Sequence, residues 1–74
     1  MIIRLLGQSS EINVKCDKAV LSHITNSLSM QFESDALARE TETLLKHKNV
    51  KTKHNESEIT ILNISDYDLS FIKN

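Results

Sequence analysis

Glycine and proline, the residues that most often interrupt helices and strands, are almost missing from this sequence. The 74 residues contain no proline and a single glycine, Gly7, whereas average usage would give about four prolines and five glycines. Linkers between domains are commonly rich in these two residues, and the sequence has no internal repeat or low-complexity tract. We therefore expect one domain over residues 1–74, in which every segment contributes to a single core.

The length makes the stability of such a domain marginal. A chain this short buries only about 60% of the surface that its unfolded form exposes. Its 39% hydrophobic and 26% charged residues are close to globular averages, so we expect it to fold without being disordered. Association with a partner or a second copy would add stability, and a homo-oligomer is therefore one expectation.

Two strands are predicted at the N-terminus. Ile2–Leu6 is mostly apolar and ends at Gly7, and residues 8–10 have the composition of a turn. Residues 11–16 alternate between polar and apolar side chains, which is typical of a strand with one face in water. The sequence thus begins with a predicted hairpin.

Two helices are predicted next. Asp17 can cap the first helix, because its carboxylate can accept hydrogen bonds from N–H groups of the first turn. Apolar residues then follow at helical spacing at Val20, Leu21, Ile24 and Leu28. Most other residues of this segment are weak helix formers, so packing would have to hold the helix. Ser34 and Asp35 resemble a second cap, residues 46–48 place positive charge in the last turn, and Asn49 ends the second helix.

The C-terminal third completes the predicted fold. Residues 50–54 alternate, residues 55–57 suit a turn, and residues 59–64 are a β-branched run typical of a central strand. Ser65 and Asp68 resemble a capping box, so the last segment is either a short helix or an edge strand. The sequence therefore predicts an α+β domain of order ββααββ plus that segment, with two hairpins in one small antiparallel sheet and helices on one face.

Side chains with reactive chemistry are few and scattered. Cys16, His23, His47 and His54 show no C-x-x-C or H-x-x-x-H spacing, which would fix two metal ligands by local geometry. A domain of this size has little volume for both a core and a catalytic cleft. We expect no enzymatic activity, no metal and no cofactor. Cys16 is expected to pack as a small hydrophobe, and His23 as a partly buried, hydrogen-bonded side chain.

The strongest local feature is the basic segment, residues 46–54, which contains no acidic residue. Its positive or titratable side chains are Lys46, His47, Lys48, Lys51, Lys53 and His54. Lysines on one face of a strand can neutralise nucleic-acid phosphates, so a small nucleic-acid-binding domain is one hypothesis. Lysines at a helix end or on an edge strand also have ordinary structural roles. No aromatic residue in the segment could stack on bases.

The favoured hypothesis is a small non-catalytic regulatory protein that binds a protein or a ribonucleoprotein through its surface. The expected contacts are the sheet face that the helices leave open, together with a terminal aromatic segment. They comprise Lys15, Lys51, Lys53, Tyr67 and Phe71. A short chain rich in Lys, Asn, Ile and Ser is typical, by association, of phage or other viral and mobile-element proteins that inhibit a host complex. Anti-CRISPR and other anti-defence inhibitors are examples.

Location and general charge give further expectations. The single Cys16 cannot form an internal disulfide, which favours a reducing compartment, and we expect a cytoplasmic protein. No apolar run reaches the length of a membrane span, so no membrane association is expected. A net charge of −1 provides no general attraction to nucleic acid or anionic lipid, and any charge effect must be local.

Overall fold

The computed structural model describes residues 1–7 and 10–72. Within them the elements follow as β1 (Ile2–Leu6), β2 (Glu11–Lys15), β3 (Lys18–Ser22), β4 (Ser27–Gln31), α1 (Asp35–His47), β5 (Thr52–Asn55), β6 (Glu58–Leu62), a 3₁₀ helix (Ile64–Asp66) and β7 (Asp68–Ile72). The strands form two antiparallel sheets, sheet A in the order β2–β1–β7 and sheet B in the order β3–β4–β6–β5. The α+β class is confirmed, but the single sheet and the order ββααββ are wrong.

β2 and β3 together form one extended segment that bends at residues 16 and 17 and contributes to both sheets. The Cys16 N–H donates to the Met1 carbonyl at 3.0 Å, which continues the pairing of β2 with β1. The Asp17 N–H donates to the Gln31 carbonyl at 2.9 Å, which begins the pairing of β3 with β4. The two sheets therefore share a corner at this bend.

One hydrophobic core lies between the two sheets and the helix. Its fully buried side chains come from all three layers and include Ile3, Leu5, Leu28, Met30, Ala38, Leu45, Ile59 and Ile61. Helix α1 packs on β5 and β6, and Cys16 is buried in the same core, as expected. No helix of the described ranges has both the length and the apolar character needed to cross a bilayer.

The helix predicted from Asp17 does not form, and residues 18–31 are the β3–β4 hairpin instead. Leu28 is fully buried while Val20 is 66% exposed, although helical spacing would place both on one face. Several residues of the segment are β-branched or compete for backbone hydrogen bonds, which weakens a helix. β4 also lies between β3 and β6, so its backbone groups are satisfied from both sides.

The remaining predictions agree more closely with the structure. The Ser34 side chain accepts a hydrogen bond from the Leu37 N–H at 3.3 Å and caps α1 as expected. β5 and β6 form the predicted second hairpin, with residues 56 and 57 between them. For the C-terminal segment the edge strand is correct, because β7 pairs with β1 along its whole length after one turn of 3₁₀ helix.

Asparagine takes the role that glycine usually has in the turns. Asn26, Asn49 and Asn63 have φ values of 53°, 62° and 55°, and Glu56 has a φ of 55°. Asparagine enters the left-handed region more easily than most residues, because its short polar side chain can form local hydrogen bonds. Within the described residues, the left-handed turn positions are therefore occupied without glycine.

Candidate binding surfaces

The structure brings a carboxylate into the basic segment. Glu42, on α1, lies with its Oε2 3.8 Å from the Lys46 Nζ and its Oε1 3.3 Å from the His54 Nδ1. The His54 Nε2 is also occupied, 2.6 Å from the Glu56 carbonyl oxygen. Lys46, which is 66% exposed, and His54 therefore both lie beside the Glu42 carboxylate, and the segment is less positive in space than in the sequence.

The segment has three further exposed lysines. Lys48, Lys51 and Lys53 are exposed, and none of them forms an ion pair within the described residues. Lys53 lies on the outer face of sheet B, opposite Thr60, and Lys51 lies two residues earlier on the same segment. Lys48 caps the C-terminus of α1, where its positive charge also complements the partial negative charge of the helix end.

The other expected contact residues do not join this surface. Lys15 is at the end of β2 in sheet A, whereas Lys53 is on β5 in sheet B, so the single open sheet face that would carry both does not exist. Tyr67 is half-buried and packs against the core. Phe71, on β7, is 51% exposed. Of the two terminal aromatic residues, Phe71 is therefore the more available for a partner.

A hydrophobic side chain is exposed to solvent at the tip of the β3–β4 hairpin. Ile24, in the loop between the two strands, is 98% exposed, and Val20 on β3 is the next most exposed large hydrophobic residue. His23 is also exposed in this loop, so its expected partly buried position is wrong. We define residues 22–26 as the hairpin tip.

Hydrogen bonds within the hairpin fix the shape of its tip. The Thr25 N–H donates to the Ser22 Oγ at 3.3 Å, and the Thr25 Oγ1 lies 2.7 Å from the Ser27 Oγ. Ser27 is itself buried. The chain on either side of Ile24 is thus held by side chains at both strand ends.

Asn26 connects the tip to the segment that precedes β7. Its Nδ2 donates to the Ser65 Oγ at 3.0 Å, and its Oδ1 accepts from the Ser65 N–H at 2.9 Å. Its carbonyl oxygen accepts a third hydrogen bond, from the Ile64 N–H at 3.0 Å. Since Ile64 is buried in the core, these bonds attach the tip to the body of the domain.

Sequence reasoning missed the tip because Ile24 fits a helical repeat with Val20 and Leu28. The available signal was the run Thr25-Asn26-Ser27, whose residues favour turns by bonding neighbouring backbone groups. A strand–turn–strand interpretation of residues 18–31 would have placed Ile24 in the loop. Periodicity alone could not separate the two interpretations.

Side chains that could bind a metal ion or act as a nucleophile are far apart in the described structure. Across residues 1–7 and 10–72, no three His, Cys, Asp or Glu side chains come close enough together to hold a metal ion. Burial raises the pKa of the Cys16 thiol, which disfavours the reactive thiolate at neutral pH. No protein-family model matches the chain, and no curated protein or solved structure shows significant similarity to it.

Proposed function

We propose that this protein is a non-catalytic binding protein that contacts another protein through the hairpin tip. The observation that carries the proposal is the combination of a 98% exposed Ile24 with a loop held by hydrogen bonds on both sides. A single exposed apolar residue is ordinary on a protein surface. An apolar residue presented by an ordered loop is different, because little conformational entropy remains to be lost on binding.

The chemistry of the tip indicates the kind of surface that it fits. Burying one isoleucine side chain contributes about 1.5–3 kcal/mol, which is the size of a typical interface hot spot. The residues on either side of Ile24 in the sequence, His23 and Thr25, are polar. A shallow apolar pocket with a polar rim on the partner would complement this arrangement.

Site-specific photo-cross-linking tests the proposal. A photoreactive phenylalanine analogue replaces Ile24, whose exposure allows the change without disturbing the core, and the protein is irradiated in the cells that produce it. We expect one dominant cross-linked protein. The same analogue at Glu40, an exposed position of α1, is the matched control and should not capture that protein.

A pull-down that compares a charged variant with the wild type extends this test. Ile24→Asp should abolish recovery of the captured protein in a pull-down, because the carboxylate cannot enter an apolar pocket without a large desolvation cost. Equal recovery with Ile24→Asp and with wild type would refute a contact at the tip. If the captured protein is a component of a host defence complex, this result would support the narrower expectation of a phage or mobile-element inhibitor in the cytoplasm.

Nucleic-acid binding is the second candidate, favoured by the three exposed lysines of the basic segment that form no ion pair within the described residues. Contacts from Lys48, Lys51 and Lys53 to three phosphates would give a slope of about −2.7 in log K against log salt concentration on duplex DNA. The Lys48, Lys51, Lys53 triple alanine variant should remove most of that slope. A Lys15, Lys18 double alanine variant changes charge elsewhere and should not, and no retardation of oligonucleotides at low salt would reject this function.

A further inference from the structure

The outer edge of β7 is an open sheet edge with apolar side chains beside it. β7 is the last strand of sheet A and, within the described residues, pairs only with β1. Four of its five residues are exposed, including Phe71 at 51% and Ile72 at 43%. Its outer edge therefore presents the backbone N–H and C=O groups of alternate residues to solvent.

The other three sheet edges carry charges that discourage strand pairing. β2 has Glu11 and Lys15 at its two ends, β3 begins with Lys18, and the four-residue β5 has Lys53 in its middle. Lysines and short strands are common means of protecting an edge. In β7 the only charge is Asp68, at the first position. β7 is thus the least protected edge in the described structure.

The chemistry of an open edge specifies its occupant. A row of alternating donors and acceptors is satisfied along its whole length only by another extended strand. We propose that this strand is β7 of a second copy of the chain, paired antiparallel about a two-fold axis at Ser70. The two sheets A then form one six-stranded sheet, and Leu69 lies opposite Phe71 of the partner subunit.

The side chains of sheet A are self-complementary in this register. On the core face, Ile12, Leu5 and Leu69 form one cross-strand row, and Val14, Ile3 and Phe71 form the next. The two-fold axis joins the first row of one copy to the second row of the other. Each joined row then contains six apolar side chains without interruption.

Charge favours the antiparallel arrangement over a parallel one. An in-register parallel pair would place the two Asp68 carboxylates side by side, which is destabilising. In the antiparallel pair each Asp68 lies opposite Ile72 of the partner subunit, and the two carboxylates are separated along the sheet by about four residues, or roughly 13 Å. Only uncharged Ser70 lies at the axis.

The contact area of such a pair is small. Pairing along one five-residue edge strand lies at the low end of the known range of interface areas. The dimer should therefore be weak and its formation should depend on concentration.

Sedimentation equilibrium with charge variants at the axis tests this proposal. The wild-type mass should rise from 8.4 kDa toward twice that value as concentration increases to about 1 mM, a range that covers weak interfaces. Ser70→Lys and Ser70→Glu should each remain monomeric because like charges meet at the axis, and an equimolar mixture should recover the dimer. Val20→Lys, on the edge strand β3, is the matched control and should dimerise like the wild type.

A disulfide variant provides a second readout that does not depend on weak affinity. Opposed Cβ atoms of an antiparallel pair lie about 4.5–5.5 Å apart, close to disulfide geometry, so Ser70→Cys should oxidise to a covalent dimer. Val20→Cys should not, and buried Cys16 should not participate. A wild type that stays monomeric throughout, or a Ser70→Cys variant that oxidises no faster than Val20→Cys, would overturn the proposal. Neither result affects capture through Ile24, because residue 24 is outside β7.

Discussion

Asn26 should be the most important asparagine for stability, because it combines a left-handed backbone conformation with hydrogen bonds between distant segments. Its φ of 53° lies in the left-handed region, and its side chain makes two hydrogen bonds to Ser65. Asn26→Ala keeps the backbone but loses both bonds, each contributing about 0.5–1 kcal/mol at an exposed site. Alanine at positive φ costs about 1 kcal/mol more. We expect a total loss of about 2–3 kcal/mol.

Two further variants separate these contributions. Asn63 has nearly the same φ, 55°, but its side chain makes no capping hydrogen bond, so Asn63→Ala should lose only the conformational part, about 1 kcal/mol. Asn26→Gly accepts the left-handed backbone and should be more stable than Asn26→Ala, while remaining below the wild type because the bonds to Ser65 are missing.

Urea denaturation followed by circular dichroism measures these differences. A domain of this size should have a total stability of about 4–11 kcal/mol and an m value of about 1 kcal/mol/M. The midpoint should therefore fall by about 2–3 M for Asn26→Ala and about 1 M for Asn63→Ala. Equal shifts for the two alanine variants would show that the Asn26 side chain does not hold the hairpin tip, and the argument for an ordered Ile24 would fail with it.

Three other outcomes follow from individual residues. Gly7→Ala should change stability by less than about 0.5 kcal/mol, because the new Cβ would meet the Tyr67 Cε1 at an ordinary 3.4 Å and Gly7 has no positive φ; urea midpoints measure this. Glu56→Asn should raise stability by about 0.5 kcal/mol, since Glu56 has a φ of 55° and asparagine tolerates that region better. Burial raises the pKa of the Cys16 thiol above its ordinary 9.0, so the folded state retains a proton that the unfolded state releases, and the free energy of unfolding should fall as pH rises above about 9. Cys16→Ala should reduce that pH slope, and thiol labelling of the wild type should be slow in the native state and fast in urea.

Local patterns in the sequence determined most of the individual elements. The alternation of residues 11–16 specifies which face of β2 is buried, and the Ser34 cap specifies where α1 begins. The same is true of the second hairpin, where residues 55–57 interrupt two runs of strand character. These features depend on side-chain spacing and on hydrogen bonds within a few residues, so they can be recognised without knowledge of the fold.

Tertiary structure decided what local patterns left open. Val20, Ile24 and Leu28 fit a helix and a hairpin equally well by spacing, and the hairpin forms because β6 offers β4 a second partner strand. The bend at residues 16 and 17 divides the strands into two sheets, which separates Lys15 from Lys53. Contacts between residues far apart in the chain also put Glu42 beside His54 and attach Asn26 to Ser65. Contacts of this kind depend on how whole strands and helices pack against one another. The same packing leaves the Ile24 side chain exposed to solvent.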